Sequence, residues 1–444
     1  MKKINIAIIG AGSATFSAGI VRDLCVTPSL EGAHISLMDI DAKRLDMIEA
    51  LGKKIVKELG RSITFAKTMD REKALENANF VLNTVQYGGH SYPLMMNEIF
   101  KKHGYYRDMS LTDISQLIFH FGLAKDVERI CPEAWLIQSG NPVFEACTLN
   151  HRQTKAKILG LCHGHYAYLE IARKIGLDPA HVTAQTSGFN HWIFMTDFRY
   201  KGEDAYPMLD KWIEEKGPDY WKNFTPRFSD TSLSYAACEQ YKLFGLMPIG
   251  DTPRFLGWWY NNNIEAKRRA FGGVGGFDSD EGWAQYLEGL GKNVKRIEDA
   301  ATDASVRATD IFKPEQSREQ IVPIIESLTF DRERVYQVNI PNKGGLVPGF
   351  PEDLVVECPA VVNGAGIHGI AQPKLPPRVF AAGMIPRWQA AETLVNAVIH
   401  HDRDMLLLRM LEYHDTRSFD QAEALLEDVF AHEQNGFLRE WFNQ

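Results

Sequence analysis

The run LCHGHY, Leu161 to Tyr166, brings Cys162, His163 and His165 together directly behind KILGL, a stretch with the apolar character of a buried strand. A structural zinc centre would want a second cysteine pair nearby, and the sequence has none close to it. A further imidazole lies in GFNHW, where Asn190 and His191 follow a turn glycine. One thiolate and one imidazole from separate segments, with positions left open for substrate oxygens, suit a catalytic divalent metal held by Cys162 and His191. The competing reading of such a pair, taken alone, is a buried thiol and a hydrogen-bonded core histidine.

A second cluster lies near the start. Gly10-Ala11-Gly12-Ser13 follows the strand-like INIAII and opens SAGIVRDLCV, which has helical spacing, so its backbone N–H groups can cradle a pyrophosphate. Position 15 is threonine where the usual GxGxxG carries its third glycine. Asp39 closes the second strand, the place of an acid that binds the adenosine ribose and disfavours a 2'-phosphate. No arginine stands beside Asp39 in sequence and Asp41 adds negative charge, so NAD is expected rather than NADP. Asn83 and Asn141 end two further strand-like runs, where an asparagine can reach a nicotinamide ribose or a substrate hydroxyl; the alternative is an Asx-type turn.

The elements that must position these residues are legible in outline. The runs INIAII, HISLMDID, ITFAKT, ANFVLNTV, AWLIQSG and KILGL alternate with helical patterns such as DAKRLDMIEALGKKIVKELG. That alternation predicts an α/β fold with a Rossmann-like, doubly wound parallel sheet. From about Thr186 the texture changes to aromatic-rich helices and irregular connections, with FGGVGGFDSD as a surface loop. We therefore expect a dinucleotide-binding domain over 1–185 and an α+β domain for substrate binding and oligomerisation over 186–444. The length of 444 residues suits two domains, and a net charge of -8 argues against a nucleic-acid partner. No apolar run reaches membrane-spanning length and no cleavage pattern follows the short apolar start, so a cytoplasmic protein with reduced, scattered cysteines is expected.

The ordered set GAGS, MDID, SGNPVFE, LCHG, GFNH, PIGDTPR and NIPNKGGLVPGFPEDLVVECP resembles glycoside hydrolase family 4, the NAD- and metal-dependent glycosidases, over nearly the whole chain. The Cys-His-Gly triplet is similar to the branch acting on α-glucuronides. The resemblance implies transient oxidation of the sugar at C3 by NAD, removal of the C2 proton, elimination of the aglycone and addition of water, with no net redox change. It implies metal ligation by Cys162 and His191, with manganese expected, and a catalytic base at Asp251. At that place a carboxylate would need burial or a neighbouring anion to raise its pKa. His163 would assist leaving-group departure or only bind, and Asn141 and Asn190 would contact the sugar or nicotinamide ribose. Arg254 would pair with the uronate carboxylate, with Arg107 and Tyr106 as a second contact. Asn342 and Gly344 would approach the sugar, and a homodimer or homotetramer is expected by analogy.

One departure is that SLTDISQLIFHFG, with Asp113, replaces the family's Gly-rich loop. His120 and His165 read as packing histidines, and Trp258 to Asn263 as core rather than aglycone site. Two other classes compete: a malate-like dehydrogenase, which would accumulate NADH with product, and an NAD-sensing module, which would not need Cys162. Within the family, α-galacturonides and α-galactosides are the alternative substrates.

Overall fold

The computed structural model of the chain describes residues 4–106, 111–223, 231–273, 276 and 279–444. Arg107 and part of FGGVGGFDSD lie outside the described residues. Six strands of the first half run parallel: β1 (Asn5–Ile9), β2 (His34–Met38), β3 (Thr64–Thr68), β4 (Phe80–Asn83), β5 (Trp135–Gln138) and β6 (Lys157–Gly160). Their spatial order is β3-β2-β1-β4-β5-β6. Strand β1 shows why its run is apolar throughout. Ile6 and Ile8 pack with the helices Ser17–Val26 and Ala42–Leu59, whereas Ala7 and Ile9 join a second core with Ala74, Leu123 and Val127. With helices on both faces, every position of a central strand is buried and the period-2 alternation disappears.

Local chemistry sets the helix limits. The Asp41 carboxylate accepts the Arg44 N–H at the start of Ala42–Leu59, and Gly60, at φ +65°, ends that helix in the left-handed conformation.

The second half continues the same sheet in antiparallel fashion through β7 (Val182–Phe189), β8 (Trp192–Tyr200), β9 (Glu203–Asp204), β10 (Met247–Ile249), β11 (Arg334–Pro341), β12 (Val355–Asn363) and β13 (Gly366–Gly369). Asn339 of β11 pairs with Gly160 of β6, and Glu357 of β12 pairs with Gly188 of β7. Residue 185 thus falls inside β7, at a bulge between Gln185 and Thr186, and the segment read as helices and irregular connections contains a long hairpin and a central strand pair. Helical signals dominate that stretch because β11 and β12 are buried on both faces and interrupted by Asn, Glu, Cys and Pro, which hides any strand periodicity.

The largest core crosses the join, with Ile6, Leu159, Val338 and Val356 in one cluster. A second core forms where the helices Ile385–His400, Arg403–Leu411 and Phe419–Ala431 pack on Ser91–Lys102 and Leu111–Ile130. The six cysteines are free thiols, and among the described residues no helix is long and apolar enough to cross a membrane.

Candidate active site

The carboxyl ends of β1 and β4 meet where the strand order reverses, the place where open α/β sheets bind ligands. A cavity of about 1650 Å³ opens there. Gly10, at φ +85°, turns the chain out of β1, and its N–H and that of Ala11 both donate to Met38 O at the end of β2. The Gly12 N–H donates to Asp39 Oδ2 at 2.7 Å, and a Cβ on Gly12 would stand 2.8 Å from that oxygen. Glycine is therefore required where the turn approaches the acid, and Gly10, Gly12, Ser13 and Asp39 all line the cavity. Over this end lies the helix Asp280–Thr302, with Tyr286 hydrogen-bonded to Thr15 and edge-on to His90 at 5.4 Å.

Two expectations at this end need correction. Arg44 does stand beside the acid: its Nη1 donates to Gly12 O at 3.4 Å and its side chain lines the cavity. The helix beginning at Ala42 brings back a residue that sequence distance separates from Asp39. A preference for NAD then rests on the carboxylates of Asp39 and Asp41. Asn83 is fully buried and does not line the cavity. Its amide donates to Gln138 Oε1 and to His120 Nδ1, both at 2.8 Å, and His120 Nε2 donates to Asn141 O at 3.0 Å. Burial pushes the His120 pKa down to about 4, so the neutral ring relays Asn83 to the loop that carries Asn141. Asn141 itself lines the cavity.

At the other end, Asn190 and His191 form the two-residue turn of the β7–β8 hairpin, closed by the Phe189–Trp192 pair. His191 occupies the left-handed region at φ +59°, a strained choice for a non-glycine residue that aims its ring into the cavity. The ring stacks on Phe255 (centroids 5.8 Å, planes 9° apart) and its Nε2 lies 3.5 Å from Asp251 Oδ2. Burial holds the His191 pKa below its ordinary value, with Asp251 acting in the opposite sense, so the imidazole is neutral and suited to ligation near pH 7.

Asp251 is registered to His191 by its neighbour in sequence. The Thr252 hydroxyl accepts from Ile193 N at 2.7 Å and donates to Ile193 O at 3.0 Å, which staples the Asp251 turn to β8. Gly250, at φ +62°, packs against Gly164, where an added Cβ would lie 3.0 Å from the Gly164 backbone. The glycine after Cys162-His163 thus lets two turns meet and brings the cysteine segment against Asp251. Arg254 Nη1 donates to Asp251 Oδ1 at 3.3 Å, and His191 faces Oδ2. Arg254 is 8% exposed and its guanidinium lies over the Phe255 ring at 4.5 Å.

Cys162 sits just behind this wall. Burial pushes its thiol pKa up, and hydrogen bonds from Gly164 N and the Asn190 amide favour the thiolate. The Asn190 Nδ2 also donates to Glu357 Oε2 at 3.2 Å. The same amide thus meets both Cys162 and Glu357, and Asn190 lines the cavity. Burial raises the Glu357 pKa to about 7. Sequence reading passed over Glu357, whose only signal is a lone acid inside the apolar run LVVECP. It also passed over Arg387, which lines the cavity, is ion-paired with buried Glu145 and lies over Phe144 and Trp192 at 5.0 and 5.7 Å.

Other expected residues fall elsewhere. His163 does not line the cavity: its side chain is 66% exposed and its Nδ1 is 3.5 Å from Glu319 Oε1. His163 lies past the end of β6 and opens the turn Gly164–Tyr166, and that turn sets its direction. Asn342 is buried as a loop staple, bonded to Val347 and Phe350, away from the cavity. His165 is buried, as a packing residue. In the aromatic run, Tyr260 is core, whereas Trp258 is 44% exposed and lines the cavity with Trp259.

The donor set fits a catalytic ion. Cys162 and His191 supply a soft and a borderline donor and leave positions for a ligand, and among the described residues no group of three His, Cys, Asp or Glu forms a closed metal cluster. The Gly10–Gly12 turn with Asp39 likewise fits a dinucleotide.

Fold and cleft together define an α/β protein of the dinucleotide-binding class, with a second polar centre facing the nucleotide turn. Residues 5–177 match the sequence model of the family 4 glycosyl hydrolases and 186–414 that of the family 4 glycosyl hydrolase C-terminal domain. The chain belongs to glycosyl hydrolase family 4. It is 27% identical to an α-glucosidase of Erwinia rhapontici over 91% of this chain and 92% of that one. It is 23% identical to an α-galacturonidase of Thermoanaerobacter italicus, over 99% and 98%. A 6-phospho-α-glucosidase from gut microorganisms, solved with NAD and Mn2+, shares the fold with a TM-score of 0.78 at 18% identity, covering 98% of this chain and 99% of that one.

Proposed function

We propose that this glycosidase hydrolyses α-glycosides of a uronic acid, foremost α-D-glucuronides, using bound NAD and a divalent metal, with manganese the first choice. The observation that carries the proposal is that the nucleotide turn and the cluster of Asn190, His191, Asp251 and Arg254 open into one cavity. The relative solved with NAD and Mn2+ supports the cofactor pair, and the α-galacturonidase relative supports a uronide.

Gly10, Gly12, Ser13 and Asp39 would hold NAD, and Cys162 and His191 the metal. When bound, NAD supplies a hydride acceptor for transient oxidation at C3 of the sugar and the metal supplies Lewis-acid polarisation of its oxygens. Asp251 takes the proton from C2, Asn190 accepts a hydrogen bond from a sugar hydroxyl through Oδ1, and Asn141 contacts the sugar or the nicotinamide ribose. Arg254 pairs with the uronate carboxylate. Tyr286, lying over the nucleotide end, suits a cofactor that is held there and returned to its starting state in each turnover. A second reading, α-galacturonides, has the Thermoanaerobacter relative in its favour.

The test is hydrolysis of an aryl α-D-glucuronide, α-D-galacturonide and α-D-glucoside under reducing conditions, with and without NAD and Mn. Uronide hydrolysis that requires NAD and leaves no NADH is the expected result. Stoichiometric NADH without hydrolysis overturns the reading. Arg254→Gln should lower kcat/KM for the uronide relative to the neutral glucoside by about a hundredfold, since it removes a charge-assisted pair. An unchanged ratio would take the carboxylate away from Arg254.

A further inference from the structure

We infer that the cavity contains a carbohydrate-binding aglycone subsite built on Trp258, so that the natural leaving group is itself a sugar. The inference rests on the glycosidase reading above and concerns a region that reading leaves unused. Trp258 is 44% exposed and lines the cavity, with Trp259 beside it. Its ring stacks on His414 (centroids 4.4 Å, planes 19° apart) and meets Trp259 edge-on at 6.1 Å, so both its plane and its direction are set.

Its distance from the reacting end is also set. The Asn261 amide donates to Arg254 O and Gly257 O, both at 3.0 Å, tying the turn that carries Trp258 to the helix Thr252–Leu256, which carries Arg254. A ring leaving from C1 of a sugar held beside Asp251 and Arg254 therefore has this platform as its next neighbour along the cavity.

The chemistry of the rim selects a sugar over an apolar group. Arg409 and Glu412, paired at 3.3 Å, line the same end, and the Arg409 guanidinium lies over Tyr413 at 4.5 Å. A pyranose offers an apolar C–H face to the indole and hydroxyls to the charged rim, whereas an alkyl or aryl aglycone would strip water from those charges without replacing its hydrogen bonds.

The experiment measures kcat/KM of the holoenzyme for an α-D-glucuronosyl xylobiose and for methyl α-D-glucuronide, and reads the ratio of the two. In Trp258→Ala the ratio should fall about fivefold to tenfold, mainly through KM for the oligosaccharide, and Trp258→Phe should retain most of it. A Trp258→Ala ratio equal to that of the wild type overturns the subsite. If Trp258→Ala does not fold, His414→Ala, which removes an exposed brace from the indole, decides in its place: a lowered ratio supports the platform and an unchanged one overturns it. Failure of the underlying substrate reading is separable. Wild-type enzyme that cleaves neither uronide but cleaves a neutral glycoside refutes the uronide, and the same ratio is then taken on that glycone.

Discussion

Cys162→Ser reduces hydrolysis about a thousandfold at saturating NAD and Mn, the effect of losing roughly 4 kcal/mol of Lewis-acid stabilisation in the transition state. The substitution is small. The hydroxyl can still receive the Asn190 amide and the Gly164 N–H that now meet the sulfur, so the circular-dichroism spectrum and melting temperature should stay near those of the wild type. What changes is the donor: a serine hydroxyl ionises far less readily than a thiol, and the soft ligand is gone. Manganese affinity, measured by calorimetry on the folded variant, should fall in parallel. A folded Cys162→Ser enzyme with undiminished activity and manganese affinity would make Cys162 a buried packing thiol rather than a metal ligand.

Asp251→Asn leaves shape and hydrogen-bonding reach almost unchanged and removes the proton acceptor, so kcat should fall by about 10²–10⁴ while KM changes little. Arg254 can still donate to the amide oxygen, and the amide N–H can face the neutral His191 Nε2, which keeps the turn in place. A readout specific to proton abstraction is available. Hydrolysis in deuterated water should place deuterium at C2 of the product sugar with the wild type, and the variant should incorporate it only at its residual rate of turnover. A variant that retains activity within about threefold of wild type would remove Asp251 from the role of base.

The parallel half of the fold was legible because its determinants are local. Continuous apolar runs mark strands covered on both faces, Asp41 and Gly60 mark the ends of a helix, and a glycine turn after β1 must be glycine because Asp39 and Val85 leave no room for a Cβ. The order of motifs along the chain sufficed to place Gly12, Asp39, His191 and Asp251 in one family pattern. The antiparallel half was hidden for the opposite reason. Strands β11 and β12 reach β6 and β7 across more than a hundred residues, and their polar interruptions meet partners there: Asn339 donates to Gly160 O and Glu357 accepts from Asn190.

Sequence by itself determined which residue types stand at strand ends and turns, and so which chemistry the cleft can hold. Tertiary structure alone decided which of them face it. His163 and Cys162 are adjacent in the chain, yet one points to solvent and the other to Asn190. Asn83 ends a strand beside the cleft and spends its amide on His120 beneath it, while Arg44 and Arg387 enter from helices that no motif marks. The physical reason is that a side chain's direction, and the partners that satisfy it, depend on elements packed from elsewhere in the chain.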